Sequence, residues 1–212
     1  MRLVSLNNSS LGGGTHHLLL LEKSILLPLI IIMKNGGIKY GSKRASSGKI
    51  KNGFVQTPSY VTEELLNNES FEGTILEPCC GKGAISEVFK KRGYNVKSSD
   101  LIDYGYGEVK DLFEIKEEQD NIITNPPFAL KIDMIEHLLK LTRKKLVLLW
   151  YAKNIGNLVE SKRSKGLKNI YVFKKRIEWE ETKIGWLFAW YVWEKGYEGD
   201  VTIKLINNGN KE

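Results

Sequence analysis

The chain has 212 residues, 42% of them hydrophobic and 27% charged, which allows one soluble domain with a proper core and leaves little room for a second. Its formal net charge of +7 fits a polyanionic partner. The two cysteines, Cys79 and Cys80, are sequence neighbours and make a poor disulfide, so a reducing, cytoplasmic setting is expected. With the three histidines in no ligand spacing, a metal site is not expected.

Residues 1–32 differ in character from the rest. Leu18 to Leu21 and Ile25 to Ile32 are apolar, but Glu22, Lys23 and Pro28 interrupt them. The stretch is too short and broken for a good membrane span, and no small-residue cleavage site follows it. Met33 then opens a Gly-, Lys- and Ser-rich lead. Met33 is therefore expected to be the true start, with 1–32 a non-globular, translated upstream segment and 33–53 a flexible basic lead. A weak membrane anchor is the competing reading of 1–32. The globular domain is expected over 54–206, with 207–212 a disordered tail.

From Phe54 onward, helical and strand patterns alternate. Thr57-Pro58 reads as a helix start, Thr57 as N-cap and Pro58 at the first helical position, with Val61, Leu65 and Leu66 on one face. Residues 73–77 read as a strand and 81–83 as a Gly-rich turn. Residues 84–92 read as a helix with Ile85, Val88 and Phe89 inward, closed by Gly93. A strand over 95–100 ends in Asp100, and a polar connection over 101–120 contains Asp111-Leu112-Phe113. Residues 121–124 form a short buried strand, 130–142 an amphipathic helix, and 145–150 and 170–173 further buried strands. Residues 186–193 and 201–206 read as closing antiparallel strands around a turn at Gly196 and Gly199. Alternation puts Trp186, Phe188 and Trp190 on one face, and these read, with Trp179 and Trp193, as packing rather than as base-stacking groups. Strands alternating with helices give a mostly parallel α/β sheet with helices on both faces.

Asn125-Pro126-Pro127-Phe128 carries the most chemical information. Two consecutive prolines can continue neither a helix nor a ladder, so they rigidify a turn. That turn sits at the C-terminal end of a strand, where open α/β sheets place ligands. It displays an amide, free carbonyls and an aromatic ring, a set that suits a planar ring bearing an exocyclic amino group. A structural turn with a core-facing Phe128 is the plainer alternative.

The segment Glu77-Pro78-Cys79-Cys80-Gly81-Lys82-Gly83 lies between strand and helix. Gly81 and Gly83 let the backbone pass close to a ligand, and the helix start that follows offers free N–H groups. Ser86 stands where a dinucleotide fingerprint has its third glycine. Asp100, ending the next strand, is placed to accept both hydroxyls of a ribose; a strand-end cap is the alternative. Asp111 is placed to accept from an adenine amino group, or to cap a turn. Glu77 is placed to meet a positive amino acid group. These acids suit a nucleoside carrying a cationic amino acid tail better than a pyrophosphate. Cys79 and Cys80 read as small packing residues rather than nucleophiles.

These residues together resemble the S-adenosylmethionine-dependent adenine-N6 DNA methyltransferases in which the cofactor motifs precede the catalytic turn. Phe54-Val55-Gln56-Thr57-Pro58 resembles the family's leading motif, Ile75 to Ala84 its glycine loop, Asp100 its ribose-binding acid and Asp111-Leu112-Phe113 its adenine-holding motif. Asn125-Pro126-Pro127-Phe128 matches the catalytic motif in full. The resemblance covers about residues 54–193. It implies a Rossmann-like methyltransferase fold, a mostly parallel twisted sheet with helices on both faces and an antiparallel edge hairpin, with S-adenosylmethionine as cofactor. It implies cofactor contacts from Gln56, Thr57, Pro58, Glu77, Pro78, Cys79, Gly81, Gly83, Asp100, Asp111, Phe113 and Asn125. The Asn125 side-chain oxygen and the Pro126 carbonyl would accept from the target amino group, and Phe128 would stack on the extruded base. Many family members carry a separate target-recognition domain; 84 residues (212 − 128) follow Phe128 here and the closing strands take many of them, so sequence specificity is expected to come from loops or a partner, or to be slight. The small build resembles stand-alone phage or mobile-element methyltransferases of the bacterial or phage-infected cytoplasm.

DNA, double- or single-stranded, is the expected partner. The basic stretch 153–176 is the best candidate to meet its phosphates, with Lys162, Arg163, Lys165, Lys174, Lys175 and Arg176 leading, and Lys153 and Lys168 beside them; a solvated basic face is the alternative. The same chemistry on RNA adenine or a protein glutamine amide, a nicotinamide dehydrogenase, and a non-catalytic nucleic-acid-binding module remain competing readings. The dehydrogenase reading gives Asn125 to Phe128 no task.

Overall fold

The structure is a computed structural model, and it describes residues 54–127, 132–159, 161–180 and 184–209. The expectations for 1–53, Phe128 and 210–212 therefore lie outside the described residues. Every described residue falls within one compact unit.

The elements follow one another as helix α1 (Ser59–Leu66), strand β1 (Ile75–Glu77), helix α2 (Ala84–Lys91), strands β2 (Val96–Asp100), β3 (Glu108–Val109) and β4 (Gln119–Thr124), helix α3 (Ile132–Leu141), strand β5 (Thr142–Tyr151), helix α4 (Ile155–Val159) and strands β6 (Leu167–Phe173), β7 (Phe188–Glu194) and β8 (Thr202–Ile206). They build one eight-stranded sheet in the order β3-β2-β1-β4-β5-β7-β6-β8. β1 through β5 pair parallel, and β7 runs antiparallel between β5 and β6. The class is the expected Rossmann-like one, mostly parallel with antiparallel pairing in the C-terminal half.

The strand partners there differ from a hairpin of consecutive strands. β7 pairs with β5 and β6, and β8 pairs parallel with β6 at the sheet's edge. The reason is burial. Residues Phe188 to Trp193 are all buried, which an edge strand exposing one side cannot provide. Insertion between two strands covers both faces. Phe188, Trp190 and Val192 join α1 and α2 residues Val61, Leu65, Ile85 and Phe89 in one core. Ala189, Tyr191 and Trp193 join α3 residues Ile135 and Leu138 in the other. The polar tips are satisfied: Trp190 Nε1 donates to Val61 O (2.9 Å), Trp193 Nε1 to Arg163 O (2.7 Å) and the Tyr191 hydroxyl to Tyr151 O (2.8 Å). Trp186 precedes the strand and is exposed rather than packed.

Two local expectations are corrected. Pro58, extended at φ −60° and ψ 141°, is the N-cap of α1, and no side chain caps it. The Thr57 hydroxyl is engaged elsewhere, with Asn125. The assigned disordered tail is partly ordered. Asn207 Oδ1 accepts from Lys174 Nζ (3.1 Å), and Asn208 bonds the Lys175 N–H (3.0 Å) and the Lys175 and Arg176 carbonyls (3.0 and 3.2 Å). Asn side chains mimic backbone partners, which low hydrophobicity alone does not reveal.

At the N-terminal ends of β5 and β6, a partly buried ionic network ties α1 to the sheet. Glu69 accepts from Lys145 Nζ, from Asn169 Nδ2 (2.7 Å) and from the Tyr171 hydroxyl (2.6 Å). Burial alone would raise the Glu69 pKa, but the Lys145, Tyr171 and Asn169 hydrogen bonds outweigh it and hold it below the usual value. A depressed carboxylate stabilises the fold above its unfolded pKa near 4.5, and that contribution is lost as pH falls through the folded value. Glu69→Ala should cost about 3 kcal/mol at neutral pH, the low end for a broken buried pair because Lys145 keeps 17% exposure. Urea denaturation should also show this cost shrinking below pH 4.5.

Candidate active site

The chain runs outward from β1 to β2 and β3, then returns to β4 on the other side of β1. Such a reversal opens a crevice at the C-terminal strand ends. A cleft of ≈ 270 Å³ lies there. Glu77 at the end of β1, Asp100 at the end of β2 and Asn125 just after β4 all line it. So do Gln56, Thr57, Pro78, Cys79, Asp111, Phe113, Pro126 and Pro127. Residues more than 60 positions apart are thus gathered at one place by the pairing of three neighbouring strands.

Among the described residues, one hydrogen bond holds the Asn125 side chain. Its Nδ2 donates to Thr57 Oγ1 (3.1 Å). Its Oδ1 is buried and has no hydrogen-bond partner among the described residues. A buried acceptor without a donor costs on the order of 1–3 kcal/mol, and a ligand N–H would relieve that cost.

Glu77 is 2% exposed. It accepts from the Ser86 N–H (2.8 Å) and from the Ser86 hydroxyl, which also meets Ser98 Oγ at 2.6 Å. Burial raises its pKa to about 8; the Ser86 bonds oppose the shift and the Asp100 charge adds to it. Asp100 Oδ2 accepts from the Gly81 N–H (2.9 Å) and Oδ1 from the Ile102 N–H (3.0 Å). A carboxylate accepts about four bonds, so two positions stay open. Asp100 therefore caps the loop and keeps capacity for a ligand diol. Asp111 Oδ1 likewise accepts from the Phe113 N–H (2.9 Å), capping a 3-10 turn.

Burial, aided by the Asp100 charge, pushes the Cys79 thiol up to about 12. Burial with the Glu77 charge does the same for Cys80, also to about 12. Both stay protonated at neutral pH and are poor nucleophiles. Among the described residues no histidine lines the cleft, and no group of three His, Cys, Asp or Glu could hold a metal ion.

Gly81 and Gly83 do not line the cleft, and each is covered by an aromatic ring. Both have positive φ (52° and 81°), and a methyl group on either would strike the Phe54 or the Tyr106 ring. Pro58 lies one residue beyond the lining. Sequence reasoning missed part of the wall: Phe54 stacked on Tyr104 (centroids 4.7 Å apart), and Lys82, Leu101, Ile102 and Met134. Leu101 gives a usable signal. It is an apolar residue directly after a strand-end acid in a polar loop, and it is 65% exposed.

The basic stretch is not one surface. Lys162, Arg163 and Lys165 precede β6, at the N-terminal ends of the parallel strands, opposite the cleft. Arg163 pairs there with Glu136 (2.9 Å). Lys168 lies within β6 and binds Glu194 (2.9 Å). Lys174, Lys175 and Arg176 follow β6 on the cleft's side of the sheet, three strands from β4, about 14 Å laterally at 4.8 Å per strand. The crossover through α4 runs the length of the sheet and carries the first group to its far end, so the full length of β6 separates the two.

No protein-family model matches the chain, and no curated protein matches it. Among solved structures it is similar to a class I S-adenosylmethionine-dependent methyltransferase of Listeria monocytogenes (14% identity, 85% of this chain and 71% of that one, TM-score 0.53). It is also similar to the modification subunit of a type I restriction enzyme from Vibrio vulnificus YJ016 (12% identity, 92% of this chain and 53% of that one, TM-score 0.50). The chain thus spans about half the length of that subunit. The likeness is one of fold, and the fold is that of the class I S-adenosylmethionine-dependent methyltransferases. Among the described residues no helix is long and apolar enough to cross a membrane.

The raised Glu77 pKa has a consequence for stability. The folded state holds this proton more tightly than the unfolded state does, so the contribution is full below pH 4.5 and is lost as pH rises through about 8. Glu77→Gln, which keeps the acceptor for Ser86, should flatten the fall in denaturation midpoint between pH 6 and 9 that the parent shows.

Proposed function

We propose that the protein transfers the methyl group of S-adenosylmethionine to the exocyclic N6 amino group of adenine in DNA. The observation that carries this reading is Asn125 Oδ1, a buried acceptor without a partner among the described residues, in a cleft shared with Glu77, Asp100 and Asp111. An exocyclic amino group supplies the missing donor. The fold shared with the Listeria methyltransferase, and with a modification subunit of a restriction enzyme, supports the class and favours DNA over other amino-bearing substrates.

The cleft fits the cofactor. Asp100 keeps acceptor positions for a ribose, Phe113 and Leu101 offer exposed apolar surface for an adenine, and buried Glu77 suits a cationic amino acid group. When bound, S-adenosylmethionine supplies an electrophilic methyl carbon. The chain's own task is positioning. Thr57 accepts one amide proton of Asn125 and so fixes the amide with Oδ1 as its unpartnered acceptor. Asn125 Oδ1 and the Pro126 carbonyl accept the two N–H bonds of the target amino group, drawing its lone pair out of conjugation and aiming it. Phe128, by its resemblance to the family motif, stacks on the extruded base and offsets part of the few kcal/mol that extrusion costs. Alignment of this kind supplies on the order of 7–11 kcal/mol. The proton of the methylated amino group leaves to solvent.

Labelled-methyl transfer to unmethylated double-stranded DNA, single-stranded DNA and RNA, with nucleoside analysis of the product, tests the reading. N6-methyladenine in DNA is the expected product; label found only in RNA or protein would refute it. Asn125→Ala should lower turnover by on the order of 10²–10³-fold, the scale for loss of one preorganised hydrogen-bonding group, with cofactor affinity nearly intact. Asp100→Ala should instead weaken the cofactor roughly ten- to hundredfold, as loss of hydrogen bonds to a charged group does. Calorimetric titration with S-adenosylhomocysteine separates the two effects.

A further inference from the structure

On the strand-end rim that carries Asn125, two strands away from β4, stands an aromatic side chain that packing does not account for. Trp179, Phe188, Trp190 and Trp193 are buried, whereas Trp186 is 51% exposed. Exposed Lys153 places its ammonium 4.3 Å from the centre of the Trp186 ring and 5.0 Å from that of Tyr151. The three residues come from adjoining chain ends. Tyr151 closes β5, Lys153 lies in the 3-10 turn that follows, and Trp186 stands two residues before Phe188, the partner of Tyr151 across β5 and β7. β5 is also the neighbour of β4, with Leu148 opposite Thr124. Tyr151 is three residues beyond that pair and so two beyond the level of Asn125, and the cluster rises past Asn125 by about 7 Å at 3.3 Å per residue. That is about two stacked nucleotides at 3.4 Å each.

We propose that Trp186 and Lys153 form a platform for an unpaired nucleotide flanking the target adenine, and that the substrate is therefore single-stranded or locally opened DNA. The inference rests on the DNA reading above. The flanking base stacks on the exposed part of the indole, and the Lys153 ammonium meets the adjacent phosphate. A duplex cannot use this platform, because its flanks present phosphates and groove edges and its base faces open only at its ends. A strand leaving the platform meets Lys174, Lys175 and Arg176, all exposed, at the end of β6 two strands away on the same side of the sheet. Stacking is tolerant of sequence, since every base has a π-face, so the platform adds affinity without dictating a recognition site.

The test is anisotropy binding of the full chain, saturated with S-adenosylhomocysteine, to a labelled single-stranded oligodeoxynucleotide, its duplex and the matching oligoribonucleotide. Trp186→Ala should weaken single-strand binding roughly 5- to 150-fold, the equivalent of one lost stacking contact, and leave duplex binding close to the parent's. Trp186→Phe should recover most of the loss. Lys153→Ala should reduce the slope of log affinity against log salt by about 0.7, one phosphate on a single strand. S-adenosylhomocysteine affinity should be unchanged in all three variants. Single-strand binding insensitive to Trp186→Ala, an equal loss on duplex and single strand, or sensitivity confined to RNA would overturn the platform. Absence of methyl transfer from every nucleic acid, with the Trp186 effect intact, would instead sink the catalytic reading and leave the platform standing.

Discussion

The hydrogen bond between Asn125 Nδ2 and Thr57 Oγ1 is the contact on which the rest of the site depends. It joins the entry of α1 to the end of β4, and neither segment could set the amide's orientation alone. A free asparagine at a turn rotates and satisfies itself with water or its own backbone. Here the N–H side is fixed, so the acceptor side is left buried and without a partner among the described residues. The anchor is itself anchored: α1 is held against the sheet by Trp190, whose indole donates to the Val61 carbonyl from the centre of β7. A chain of contacts thus runs from the middle of the sheet to the one buried acceptor that the proposed chemistry needs.

The electrostatics of the cleft point the same way. Glu77 and Asp100 end neighbouring parallel strands, and burial makes a second negative charge there costly. Glu77 answers by holding a proton, and Asp100 by spending one bond per oxygen on the loop around it. A ligand with a positive group would let Glu77 ionise without that cost, whereas among the described residues lining the cleft a pyrophosphate would find Lys82 as its basic partner. The ring-covered glycines fit this division of labour. Gly81 and Gly83 give the loop its path and admit Phe54 and Tyr106 against the backbone, while the polar contacts fall to the strand-end side chains.

Placing β7 between β5 and β6 has two effects beyond closing the sheet. It buries six consecutive residues, giving the two cores a shared centre. It also brings the segment just before Phe188 up beside Tyr151, so that Trp186 and Lys153 meet on the same rim as Asn125. Had β7 paired with β8 at the edge, that indole would stand far from the cleft. The same topology sends the β5–β6 crossover back to the opposite end, and the basic residues it carries go with it.

The strand–helix alternation, the glycine loop, the strand-end acids and the double-proline turn were legible because each is local. Proline geometry, glycine conformations and short-range apolar periodicity act over a few residues and leave their mark on the chain directly. Which strand neighbours which was not legible in the C-terminal half, because a run such as Phe188 to Trp193 is apolar whether it pairs with the strand after it or slots between two others. Burial on both faces decides between these, and that is a property of the assembled sheet. Thr57 reads as a helix cap in sequence for the same reason: its true partner lies 68 residues away. The basic stretch read as one surface, but Lys162 and Lys175 are separated by the length of a strand that only the fold lays between them. Sequence alone determined which chemical groups the protein owns and roughly where along the chain they sit. Tertiary structure decided which of them share a cleft, which acid carries a proton and which tryptophan is left facing solvent, because distance and burial arise only when remote segments pack.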